Sequence, residues 1–260
     1  MKIQLVLPYC DNSGSQRLSG WPQPLGILSI ATYLKKKSPQ VDIEILDGTV
    51  LSQEEIESRI DADIVGITTI LRSYLNALRI ANLAKKAGSK VVIGGPYATA
   101  LASTILVNQP DIDVAVRYDG EIAFEKLVRG VPYGEIENLV YRLPDGTCAK
   151  NKIVATKLEL LPQIDRTFIN IDEYQKNFQE NITSPYKRPG TIYSQRGCCW
   201  RARPEGGCIF CAIPDYSIRL RRPTSFWREV EELHELGYDF LYDISDDIGA
   251  YKNWLRNLVD

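Results

Sequence analysis

The sequence predicts an α/β protein whose first 135 residues form a doubly wound parallel sheet. Two observations carry this. Short, nearly continuous apolar runs recur at Ile3–Leu7, Val41–Leu46, Ile64–Thr69, Val91–Ile93 and Val114–Val116, and segments of helical periodicity separate most of them. Strands that are apolar on both sides belong in a sheet covered on both faces, and right-handed crossovers then make it doubly wound.

Each element has its own signal. Ile3–Leu7 is short, apolar and ended by Pro8. A polar loop over Asp11–Gly20 follows, then a helix over Leu25–Leu34 whose last turn is Lys35-Lys36-Lys37, which suits the negative end of a helix dipole. Ser52 with Glu55 three residues on is a capping box opening the second helix. The third helix, Leu75–Ala87, is closed by Gly88. Gly94-Gly95-Pro96 after the fourth strand reads as a loop in which glycines admit close approach of a ligand, or simply as a tight turn. A short helix runs from Ile122 to Val128. Ligands of such sheets sit at the carboxyl ends of the strands, here residues 8–24, 47–51, 68–73, 94–99 and 117–121. No GxGxxG follows the first strand, so a dinucleotide fingerprint is absent.

Residues 136–190 change character. Leu139–Leu143, Pro144-Asp145-Gly146 and a second extended run describe a hairpin. Leu158–Gly190 reads as an irregular linker that wraps the first domain through Leu160, Leu161, Ile164, Phe168, Ile169 and Ile171. A second α/β unit occupies 191–260: a strand at Thr191–Ser194, a helix at Ser225–Gly237 with Phe226, Val230, Leu233 and Leu236 on one stripe, a strand at Phe240–Asp247 and a helix from Tyr251.

The net charge is −2, which gives no footprint for nucleic acid. No apolar run has the length of a membrane span, and the N-terminus reads as a strand and not as a signal peptide. A cytoplasmic location is the expectation, with thiols kept reduced. Four of the six cysteines, Cys198, Cys199, Cys208 and Cys211, fall within fourteen residues. Such clustering marks a metal or an iron–sulfur cluster, and a four-thiolate zinc site is the plainer alternative. Neighbouring Cys198 and Cys199 point apart in an extended segment, so three ligands with one open position are expected. Cys10 and Cys148 are isolated and read as inert.

A strand running into Gln195-Arg196-Gly197-Cys198, then Cys208-Ile209-Phe210-Cys211, resembles the cluster loop of radical S-adenosylmethionine enzymes. The loop is expanded, with nine residues between Cys198 and Cys208, and Cys199 is an alternative first ligand. The segments Asp63–Ile70, Gly94–Thr99, Asp119-Gly120-Glu121 and the hairpin resemble the cobalamin-binding domain that precedes the radical domain in one large subgroup. The resemblance implies a start of a partial (β/α) barrel after the first domain. It implies a 4Fe-4S cluster on Cys198, Cys208 and Cys211. It implies S-adenosylmethionine near Phe210, Asp243, Ser245 and Asp246, and cobalamin near Thr68, Thr69, Gly94, Gly95, Pro96, Gly120 and Glu121. It further implies an external electron donor, a small-molecule or peptide substrate, and methyl transfer or rearrangement by way of a 5′-deoxyadenosyl radical.

Two departures stand out. The family's cobalt-ligating histidine loop is replaced by Asp11-Asn12-Ser13-Gly14, and the sole histidine, His234, falls in a predicted helix and reads as a surface residue. Only 70 residues follow Gly190, fewer than a full barrel needs. The sequence is therefore a fragment or a shortened member, whose open edge a homodimer or partner would cover. The competing readings are a non-catalytic cofactor- or partner-binding module with zinc or no metal in the loop, and a plain flavodoxin-like nucleotide or flavin domain.

Overall fold

The computed structural model describes residues 1–10, 21–203, 207–211 and 217–259. The polar loop over Asp11–Gly20 lies outside the described residues. Five parallel strands, β1 (Lys2–Leu7), β2 (Asp42–Asp47), β3 (Ile64–Thr68), β4 (Lys90–Gly94) and β5 (Val114–Val116), lie in the order 2-1-3-4-5. Helices α1 (Leu25–Lys37), α2 (Gln53–Ser58), α3 (Tyr74–Lys86), α4 (Gly95–Asn108) and α5 (Glu121–Val128) cover both faces. Ile3, Leu5, Val92, Val114 and Val116 pack against α1 and α5 on one side. Val6, Val65, Ile67, Val91 and Ile93 pack against α2, α3 and α4 on the other. Alternate residues of each strand thus enter different cores, which is why the strands read as continuous apolar runs.

The local signals act as expected. Both arms of the capping box form, Glu55 N–H to Ser52 Oγ at 3.2 Å and Ser52 N–H to Glu55 Oε2 at 2.7 Å. Gly88 closes α3 at φ +88°. The hairpin strands β6 (Leu139–Arg142) and β7 (Cys148–Lys150) pair antiparallel with β5 and with each other, so they extend the first sheet to seven strands.

Two segments differ from their sequence reading. Gly94-Gly95-Pro96 is not an open loop: α4 starts at Gly95, with Pro96 in the first turn, where its missing N–H costs nothing. The linker 158–190 contains a helix, α6 (Ile171–Asn181), which buries Tyr174 and Phe178 one turn apart, with Gln175 beside them. Its wrapping role holds nonetheless, because Leu158 and Ile164 join Leu25, Leu28 and Tyr193 in one buried cluster. Leu160, expected as an anchor, is 61% exposed.

The second unit is a parallel pair, β8 (Pro189–Ile192) with β11 (Phe240–Asp243), bridged by α7 (Pro223–Glu235). The interior beneath α7 holds Ile192, Phe226, Leu233 and Tyr238. A two-residue ribbon, β9 (Gln195–Arg196) with β10 (Arg219–Leu220), closes the neck of the cysteine loop, and α8 (Lys252–Val259) packs on α7. Buried Gln23 ties the units together: its Nε2 donates to the Tyr238 hydroxyl at 2.8 Å, and its Oε1 accepts from Arg166 Nε at 3.0 Å.

Candidate functional site

The strand order reverses between β1 and β3, and the crevice at such a switch point is where doubly wound sheets bind ligands. A cavity of about 330 Å³ lies there. Thr68, Gly94, Gly95, Pro96, Gly120 and Glu121 of the first unit line it, and so do Tyr193, Gln195, Arg196, Ser245 and Asp246 of the second. A second cavity of about 420 Å³ shares Leu25, Gly26, Ile27, Thr68 and Ile244 with it, and the two form one trough.

Glycines shape the trough in two ways. At Gly26 an added Cβ would meet nothing within 4 Å, and at Gly94 only the Val116 carbonyl oxygen at 3.8 Å. Those two positions are where the wall stands open. Gly95 sits at φ +88°, and a Cβ there would lie 2.6 Å from both Thr68 Oγ1 and Thr69 N. It lets α4 begin directly against β3, with Tyr97 N–H reaching the Thr69 carbonyl at 3.1 Å.

Most of the expected cofactor residues gather here. Thr69 does not: it is fully buried, and its hydroxyl donates to the Gly94 carbonyl at 2.8 Å. Asp243 and Ser245 are committed to the backbone. Ser245 Oγ accepts from Ser194 N–H at 2.8 Å and Gln195 N–H at 3.0 Å, while Asp243 Oδ1 accepts from Ser245 N–H at 2.8 Å. Asp246 Oδ2 accepts from Gly197 N–H at 3.1 Å. The acidic strand end thus holds the base of the cysteine loop. Phe210 is 88% exposed, away from the trough.

The cysteines are all free thiols. Cys208 and Cys211 share a turn, with Cys211 N–H donating to the Cys208 carbonyl at 3.1 Å. Cys199 Sγ donates to Asp247 Oδ2 at 3.0 Å, with Cys198 Sγ at 3.7 Å from the same oxygen. That carboxylate pushes the Cys199 thiol up from its ordinary value. Among the described residues, no three His, Cys, Asp or Glu side chains are gathered closely enough to hold a metal ion. The donor set has the soft chemistry that an iron–sulfur cluster needs, but as placed its thiols do not converge. The trough, by contrast, suits a large flat group in its apolar walls and open glycines. His234 is exposed on α7 and is not among the residues lining either cavity.

Sequence reasoning missed the polar wall that joins trough and loop. Arg196 Nη1 donates to Asp119 Oδ1 at 2.8 Å, and Nη2 donates to Glu121 Oε1 at 2.6 Å. Ser29 Oγ also donates to Glu121 Oε1, at 2.6 Å. Burial opposes a charge on Glu121, yet the Arg196 guanidinium outweighs it and holds the carboxyl below its ordinary value. In the same way Glu121 overcomes burial and raises Arg196 well above its ordinary value. Asp119, Glu121 and Arg196 all stood in quoted motifs, but nothing in one sequence pairs residues more than seventy positions apart.

Residues 18–128 match the family model of the B12 binding domain. The first unit is thus similar to B12-binding domains. An uncharacterized methyltransferase of Pyrococcus horikoshii is 27% identical over 251 residues, 92% of this chain and 51% of that protein. The anaerobic magnesium-protoporphyrin IX monomethyl ester cyclase of Rubrivivax gelatinosus is 28% identical over 97% of this chain and 46% of its own. The chain spans about half the length of these two curated relatives. Among solved structures, the cobalamin-dependent S-adenosylmethionine radical enzyme OxsB, with aqua-cobalamin and S-adenosylmethionine bound, superposes with TM-score 0.78 at 16% identity. That match covers 97% of this chain and 35% of OxsB. The radical S-adenosylmethionine methyltransferase TsrM of Kitasatospora setae, with cobalamin and a 4Fe-4S cluster bound, gives 0.68 at 17% identity, over 99% of this chain and 50% of TsrM. These two share the fold. No helix among the described residues is long and apolar enough to cross a membrane.

Proposed function

We infer that this chain binds cobalamin in the trough at the β1/β3 switch point and forms the cofactor-binding part of a radical S-adenosylmethionine enzyme of the methyltransferase type. One observation carries this reading: a glycine-opened trough whose walls come from both units, with the neck of the cysteine loop forming one wall. Gly26 and Gly94 would leave room for a flat ring, and Gly95 lets α4 begin directly against β3. Cobalamin would supply a methyl carrier there. Cys198, Cys208 and Cys211 are the thiols proposed to take up a 4Fe-4S cluster, which requires the Cys208–Cys211 turn to move toward Cys198. The chain's own residues hold the loop base in place: Asp246 on Gly197, and Ser245 on Ser194 and Gln195. The substrate would be a small molecule or peptide, with an external electron donor.

Two titrations test the reading. Hydroxocobalamin added to the protein is expected to bind one to one with a shifted visible spectrum. Anaerobic addition of iron and sulfide is expected to give a broad absorption at the blue end of the spectrum. An unchanged cobalamin spectrum would overturn the trough assignment. Stoichiometric zinc in colourless protein would overturn the cluster and favour a non-catalytic binding module, the reading to which the scattered thiols and the Cys199–Asp247 contact lend weight.

A further inference from the structure

The cysteine loop, residues 197–218, leaves and re-enters the fold through the β9–β10 ribbon. In that ribbon Arg196 stands directly opposite Arg219. Two guanidiniums on facing positions repel each other, and a shared counter-charge relieves that repulsion. The counter-charge is Asp119, from the loop after β5. Arg196 Nη1 donates to Asp119 Oδ1 at 2.8 Å, and Arg219 Nη1 donates to Asp119 Oδ2. The carboxylate is 7% exposed.

Asp119 is itself held from three sides. Its Oδ2 accepts from Thr156 N–H at 2.8 Å, and its carbonyl accepts from Asn138 Nδ2 at 3.1 Å. The residue before it, Tyr118, takes the left-handed backbone at φ 60°, with its N–H on Thr99 Oγ1 at 3.0 Å. Arg219 Nη1 also reaches the Thr156 carbonyl at 2.8 Å. One buried carboxylate, fixed to the sheet and the hairpin, therefore receives both arms of the loop's neck.

We propose that Asp119 is the positioning residue that registers the cysteine loop on the trough. It acts through Arg196 and Arg219, and it touches no thiol. The proposal rests on reading trough and loop as one site, but its test needs neither cofactor.

The test is site-resolved alkylation of reduced, metal-free, cobalamin-free protein by iodoacetamide, read by mass spectrometry. Cys148, which opens β7 of the first sheet and packs against its core, is the internal control. With Asp119→Asn, alkylation of Cys198 and Cys199 is expected to accelerate about tenfold while Cys148 stays within about twofold, the mark of a local opening and not of a global one. Asp119→Glu keeps the charge and is expected to return the loop thiols to within about threefold of the parent rate. Unchanged rates at Cys198 and Cys199 would overturn the proposal, as would an equal rise at Cys148 or a failure of Asp119→Glu to restore protection. Should Asp119→Asn not fold, Arg219→Gln is read by the same rates and the same control. A cobalamin titration that failed would sink the proposed function and leave these rates as they stand.

Discussion

Gly94 and Gly95 are adjacent, yet their hydrogens do different jobs. Gly94 is extended, at φ −145° and ψ −166°, a conformation open to any residue. Its missing Cβ faces the trough, so Gly94→Val is expected to fill the site and leave the strand intact. Cobalamin affinity should fall about tenfold or more, since overpacking a filled site costs about 1–3 kcal/mol, while the melting temperature barely moves. Gly95 has positive φ and backbone within 2.6 Å of a would-be Cβ. Gly95→Ala should cost about 1–3 kcal/mol of stability, read by urea unfolding, because neither the conformation nor the space is available to it. If Gly94→Val bound cobalamin as the parent does, the trough would not be the site. The Gly-Gly pair was visible in the sequence as a candidate, but which glycine makes room and which makes the turn was not, because that depends on the strand next door.

At the scale of elements, the strands of the first sheet and four of the first five helices were legible because periodicity, caps and stop signals agreed. Two helices were not. In α4 the segment after Pro96 is apolar on most sides and carries a break at Leu101 (φ −122°, ψ 19°), so no clean stripe marks it. In α6 only Tyr174 and Phe178 are large and buried, too few to stand out against a polar background. What fixes α6 is a buried polar contact: the Tyr174 hydroxyl donates to Asp47 Oδ2 at the end of β2. Burial raises the Asp47 carboxyl above its ordinary value, and the Tyr174 hydrogen bond offsets part of that cost. Tyr174→Phe leaves the carboxylate without this donor and should cost about 1–3 kcal/mol at neutral pH. The sign of its pH dependence follows from the direction of the shift. A carboxyl raised in the folded state, and raised further in the variant, binds its proton more readily when folded than when unfolded. Stability is therefore gained as pH falls through the folded value. The deficit of Tyr174→Phe should shrink on acidification below neutral, measured by thermal unfolding. A deficit that grows would mean that Asp47 is not the residue bearing the loss.

Across the whole molecule, the two units meet through polar contacts as much as through apolar packing. Gln23, Arg166 and Tyr238 make one tie, and Arg196 and Arg219 with Asp119 and Glu121 make another, at the trough itself. A buried ion pair adds little net stability against an apolar replacement, but removing one partner strands the other charge at about 3–5 kcal/mol. Such a tie therefore acts mainly by fixing geometry: a shift of the units would separate Arg196 from two buried carboxylates. Glu121→Gln should consequently loosen the interface at neutral pH and broaden or split a unit-wide unfolding transition into two. The acid limb distinguishes this charge effect from simple loss of packing. Glu121 is depressed in the folded state, so its contribution is present above the unfolded value of about 4.3 and is lost as pH falls through its folded value. The stability difference between the parent and Glu121→Gln is expected to hold from neutral pH down to that range and then to close as the parent's own carboxyl protonates. Calorimetry across that range reads both the gap and the number of transitions. A gap that stays constant into strong acid would show that Glu121 holds the units by shape and not by its charge on Arg196.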